Sequence, residues 1–166
     1  MTTLTALRQV MTDFLEGQGI AALTAWPQEK RQNHQEPVAV VQVKEVEATA
    51  AGFQNYLGQR YDSQAQRWTE RFGQRVTVKF VLTLYSPRTA GEAGCRQLLD
   101  QVAGALLRGG PAGFAVEKWT MGETDFDPHS GMFWGKLQTL CRGTLVEDQE
   151  ESGEIVGIEV KGAMEL

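Results

Sequence analysis

Residues 75–87, RVTVKFVLTLYSP, place Val76, Val78, Phe80, Leu82 and Leu84 in alternation with Thr77, Lys79, Val81, Thr83 and Tyr85. Successive side chains of a strand point to opposite faces, so this pattern predicts a strand with one face against an apolar layer. That face needs cover. Two stretches with helical periodicity can provide it. In residues 3–16, Leu4, Leu7, Met11, Phe14 and Leu15 share a face, with Thr2 or Thr3 as cap and Gly17 and Gly19 as stop. In residues 89–108, Cys95, Leu98, Leu99, Val102 and Leu106 share another. Thr89 and Glu92 there spell a T-x-x-E capping box, and Gly109, Gly110 and Pro111 end the helix.

Further strands are expected at 20–26, closed by Pro27, and at 37–49, where Val38, Val40, Val41 and Val43 give way to polar residues. Others are expected at 113–121, at 132–146 and at 155–164, the last with Val156, Ile158 and Val160 inward. QEKRQNHQE (28–36) has no apolar residue and reads as a solvated loop; the acidic EDQEESGE (147–154) reads as a hairpin tip that discourages edge pairing. Helix, strands, helix, strands without regular alternation argue against a doubly wound nucleotide fold. The economical solution is α+β: a mainly antiparallel sheet with two α-helices packed on one face.

At 166 residues with 42% hydrophobic and 22% charged residues, the chain is expected to form one domain, 1–166, with its own core. No apolar run approaches the roughly 20 residues of a spanning helix, and the N-terminus lacks a secretory pattern, so cytoplasmic synthesis is expected and no membrane partner. A net charge of −5 argues against a surface built to neutralise phosphates.

No catalytic constellation emerges. GETDFDPHSG (122–131) crowds Glu123, Asp125, Asp127 and His129 into one loop. Read as a calcium loop from Asp125, it has Ser130 where the sharp turn needs glycine and Lys136 where the bidentate glutamate belongs. It offers a transition metal one histidine and no second at ligand spacing, so a polar turn is the expectation. Gly17-Gln18-Gly19-Ile20-Ala21-Ala22 mimics a dinucleotide fingerprint, but follows a helix instead of opening one. His34 falls in the solvated loop, and Cys95 and Cys141 read as small buried hydrophobes. No cofactor, metal site or enzyme activity is expected.

What remains is GFQNYLGQRYDSQAQRWTERFG (52–73), which holds five of the chain's fourteen aromatics, too many for a simple connection. So long a connection is uncommon in a compact domain unless it has a job. It is expected to be an extended aromatic arm. Ser63 would cap a short helix with Ala65, Trp68 and Phe72 on one side and Arg67 and Arg71 beside them. Aromatics with arginine and little lysine are the composition of protein contact cores, which makes Phe53, Tyr56, Tyr61, Arg67, Trp68, Arg71 and Phe72 the candidate interaction residues. The alternative is a lid over the chain's own sheet. Binding of single-stranded nucleic acid through Arg60, Arg67, Arg71 and Arg75 is a further alternative, set against Asp62, Glu70 and the net charge.

The phrase Gly52-Phe53-Gln54-Asn55-Tyr56-Leu57-Gly58, followed by Tyr61-Asp62, Trp68-Thr69-Glu70 and Phe72-Gly73, resembles the tail terminator (tail completion) proteins of bacteriophages and prophages. The resemblance extends loosely over nearly the whole chain, as scattered residues rather than one hard motif. It implies no catalytic residue. It implies a homo-oligomeric ring, typically hexameric, that caps the head-proximal end of the tail tube and contacts tube and head-tail connector proteins. DNA would pass through such a ring without specific binding. The particle would be put together in the bacterial cytoplasm, and the protein would end in a virion tail or phage-tail-like particle. Another tail component (tube, baseplate or connector), or a small metal-dependent enzyme using the 122–131 loop, are the alternatives.

Overall fold

The computed structural model describes residues 3–25, 35–50, 52–150 and 155–161. In chain order they form α1 (Thr3–Gly17), β1 (Ala22–Leu23), β2 (Val38–Ala50), a 3-10 turn (Phe53–Asn55), β3 (Tyr56–Asp62) and β4 (Arg67–Ser86). α2 (Gly91–Arg108), β5 (Phe114–Met121), β6 (Asp125–Asp127), β7 (Met132–Glu150) and β8 (Ile155–Lys161) follow. The fold is α+β; the described residues form eight strands in one sheet, and among them only β1 and β2 pair in parallel.

β4 and β7 are the spine. They pair antiparallel from Ser86↔Phe133 to Thr69↔Glu150, a ladder close to 60 Å long at about 3.3 Å per residue. Among the described residues no other strand is as long, so each edge of the spine is covered piecewise. β2 pairs with β4 over Gln74–Tyr85, and β3 takes over the same edge from Phe72 to Arg67. On the far side β6, β5 and β8 line β7 in turn.

The alternation in 75–87 has its expected consequence. Val76, Val78, Phe80, Leu82 and Leu84 are all at most 1% exposed, and they join Leu7, Met11 and Leu15 of α1 and Leu98, Leu99 and Val102 of α2 in one core cluster. Both helices therefore lie on one face of the sheet. On the other face a smaller cluster gathers Val38, Val40 and Met132 beside Leu23 and Tyr85. α1 stops as its glycines suggest: Gly19 takes φ +79, a left-handed value that suits glycine, and the Ile20 N–H donates to the Leu15 carbonyl.

Several expectations need correction. The capping box does not form: α2 begins at Gly91 behind Ala90, one residue too late for Thr89 to cap, and no side chain caps it. The Glu92 carboxylate instead accepts from Arg96 at 2.6 Å and from the Thr124 hydroxyl at 3.0 Å. The strand expected at 20–26 shrinks to Ala22–Leu23, and β7 runs four residues into the acidic stretch, to Glu150. Trp26, Pro27, His34, residues 151–154 and the side chains of Val156, Ile158 and Val160 lie outside the described residues.

Candidate functional site: an aromatic hairpin beyond the core

The segment 52–73 is neither a loop nor a helix. From Tyr56 it is a β-hairpin, β3 and the first part of β4, closed by the turn at 63–66. Ser63 caps nothing. The Asp62 carboxylate accepts from the backbone N–H of Gln64 at 2.9 Å and of Ala65 at 3.2 Å, and Gln66 takes φ +52 to bring the chain round. Those backbone donors, with Arg67 and Arg60 adding less, hold the Asp62 carboxyl below its ordinary value.

Strand geometry rearranges the candidate residues. Tyr61 sits opposite Trp68 and Tyr56 opposite Phe72, so four rings share one face of the hairpin. They meet as two edge-on pairs, Tyr61–Trp68 with centroids 5.3 Å apart and Tyr56–Phe72 at 5.5 Å. Arg67 and Arg71 lie on the opposite face, with Arg60, because odd and even positions of a strand diverge. The expectation that the arginines flank the rings on one side is thereby corrected.

The rings are on the same face of β4 as the core, yet outside it. The core cluster on β4 ends at Val76, and no aromatic of 52–73 belongs to it. Phe53 is 88% exposed, Trp68 51%, Tyr61 50% and Tyr56 42%, while Phe72 is half-buried. Those values exclude a lid that sequesters its rings. The hairpin is nevertheless anchored where it leaves the core. Leu57 folds over Gly73, where an added Cβ would meet Leu57 Cδ1 at 2.6 Å and the Leu145 carbonyl oxygen at 2.7 Å. Thr69 is buried and donates to the Arg60 carbonyl at 3.2 Å, tying β3 to β4 across the tip. Leu57 and Gly73 both belong to the terminator-like phrase, but their packing against each other had no signal in the sequence beyond the bare glycine itself.

The 122–131 loop is a polar turn beside the short strand β6. The Asp127 carboxylate accepts from the Ser130 hydroxyl and the His129 N–H, which hold its pKa low, and Asp125 accepts from the N–H of Phe126. Among the described residues no group of three His, Cys, Asp or Glu side chains could hold a metal ion. Both cysteines are buried free thiols, pushed up to about 11 by burial. No helix among the described residues is long and apolar enough to cross a membrane.

No protein-family model matches this chain, and no curated protein does. Among solved structures it is similar to the sheath/tube terminator of PVC, an extracellular contractile injection system, seen by cryo-EM in the extended state. The identity is 11% and the TM-score 0.45, over all of this chain and 65% of that one.

Proposed function

We propose that the protein is a structural assembly component that docks through the 56–72 hairpin, and that it serves as a ring-forming tail terminator at the head-proximal end of a phage or prophage tail tube. One observation carries the docking role. Four rings stand in a row on a hairpin outside the core, three of them about half exposed. Exposed aromatic rows cost solubility and stabilise the monomer far less than core rings do, and aromatics dominate binding energy where proteins meet. Arginines on the reverse face give the same arm a charged rim.

The tail setting comes from the sequence resemblance at Gly52–Gly58, Tyr61-Asp62, Trp68–Glu70 and Phe72-Gly73. A ring needs one patch meeting a different patch on the next subunit, and a protruding hairpin suits one half of such a contact. In this reading the partners are further copies of the chain, in the assembled tail six, together with tube and connector proteins. The measurement is mass in solution across concentration, alone and with purified tube protein. Ring formation, or capture on tube ends, is the expected result, weakened by Trp68→Ala. A wild-type chain that stays monomeric and ignores tube protein at every concentration refutes it.

A further inference from the structure

We infer that the sheet face turned away from the helices carries a contact point separate from the arm: a pocket that takes the carboxylate of an aspartate or glutamate side chain presented by another protein. The pocket has a volume of about 150 Å³ and lies over Leu140, with Lys79, Lys118, Thr120 and Gln138 around it. Strand register explains the grouping. Lys79 of β4 and Lys118 of β5 are both partners of Leu140, one on each side, and Thr120 is the partner of Gln138, two residues away on β7. Ladder partners share a face, and Lys79 lies between Val78 and Phe80, whose side chains belong to the helix-covered core, so the group stands on the opposite face. Two strand spacings hold the Cα atoms of the lysines roughly 10 Å apart.

A bulge brings the second lysine there. Val116 pairs with Cys141 and Lys118 with Leu140, which leaves Glu117 as an extra residue in β5. Strict alternation would put Lys118 on the face of Val116, toward the helices; the bulge turns it to the other face and packs Trp119 against the core instead. The Thr139 hydroxyl donates to the Lys118 carbonyl at 3.1 Å and fastens the bulged strand. The extra Glu117 is taken up by Arg142. Among the described residues neither Lys79 nor Lys118 has an ion pair or hydrogen bond through its ammonium. Glu45 stands opposite Lys79 on the side away from the pocket and forms no bridge to it.

The chemistry of the lining names the occupant. Two ammoniums, a hydroxyl and a side-chain amide can donate to both oxygens of one carboxylate, and Leu140 gives an apolar floor to the methylenes behind it. A phosphate, polar all round, would leave that floor bare. The volume is well under the roughly 300–1,000 Å³ of small-molecule sites, so it suits one side chain offered by a protein surface. One anionic group fills it, and it gives no track for a polyanion. In an assembly component it is a polar anchor on the face opposite the rings.

The test titrates the isotope-labelled full chain with N-acetylglutamate N-methylamide, a glutamate side chain with both ends capped, and reads backbone amide shifts by NMR. Saturable shifts at Lys118, Thr120, Gln138 and Leu140 are expected in the millimolar range, and none with the glutamine counterpart, which has the same shape without the charge. Lys79→Met and Lys118→Met keep apolar stems and remove the ammoniums. Each is expected to weaken binding on the order of fivefold, the loss of one solvent-open ion pair, and both together to abolish it. Glu45→Gln removes the acid competing for Lys79 and is expected to tighten binding. The same spectra report whether each variant is folded. Shifts no larger than with the glutamine probe, or undiminished in the double variant, overturn the pocket. Inorganic phosphate binding at these residues as tightly as the glutamate probe overturns the carboxylate assignment. None of these outcomes depends on the arm or on ring formation, so failure here leaves the docking role of the arm standing.

Discussion

At the scale of single residues, exposure decides what each aromatic does. Trp68 is half exposed and leans on Tyr61, so Trp68→Ala removes one edge-on ring contact and opens no cavity. The expected loss of stability is about 1 kcal/mol, well below the roughly 3–5 of a core aromatic, and urea unfolding of wild type and variant measures it. The cysteines show the opposite case. Cys95 and Cys141 have pKa values raised from 9.0 to about 11 by burial. Folded protein is expected to resist thiol reagents at pH 8 and to react only on unfolding. A raised thiol pKa means the folded state holds its proton more tightly than the unfolded chain. The stability this adds is complete below pH 9 and is lost between pH 9 and about 11, which denaturant melts across that range will read. Their burial was legible from helical and strand spacing alone. Gly73 was not: its need for a missing Cβ arises from Leu57 and the Leu145 carbonyl, residues far apart in sequence that only strand pairing brings together.

At the scale of elements, the sequence was clearest where one period has no competitor. β4 from Val76 to Leu84 keeps an apolar residue at every second position, and both helices repeat their apolar residues over three turns or more. The stretch around Trp68 and Phe72 is different, because a spacing of four fits one face of a helix and one face of a strand alike. What broke the tie is the neighbouring chain: β3 and β7 supply hydrogen-bond partners on both edges of β4, and a helix there would leave them without a ladder. The acidic run misleads for the same reason, since Glu147–Glu150 stay in β7 as partners of β4. The hairpin's closure rests on Asp62, whose depressed pKa gives a definite pH dependence. Its carboxylate favours the folded turn above the unfolded value of 3.8, and that contribution is lost as pH falls through the lower folded value. Asp62→Ala should remove this acid sensitivity and raise amide exchange at Gln64 and Ala65, leaving exchange in α2 unchanged. Asp125→Ala with Asp127→Ala should loosen only the turn at 128–131; lost assembly in that double variant would show that the loop does more than connect strands.

For the whole molecule, what matters is how charge is distributed over a sheet whose two described helices pack on one face. On the face away from the helices, β4 carries Arg67, Arg71, Arg75 and Lys79, a cation at every fourth residue, with Arg60 alongside on β3. Taken alone, that row favours a grip on single-stranded DNA. Register argues otherwise. Asp62 stands opposite Arg67 and Glu45 opposite Lys79, so two of the four positions face an acid across a strand pair. The rings, which would have to stack the bases, are on the other face of the same hairpin, so no one strand of DNA can meet both. Phosphate neutralisation and base stacking are thus separated by the sheet itself, and the net charge of −5 adds long-range repulsion. The chain is therefore expected to show no salt-dependent affinity for single-stranded DNA in fluorescence anisotropy between 50 and 200 mM salt, to order of magnitude the range over which phosphate contacts weaken most visibly. Binding that falls with salt and disappears in Arg71→Ala would mean that the cross-strand acids fail to mask the row, and the open face of the sheet would then be a polyanion surface.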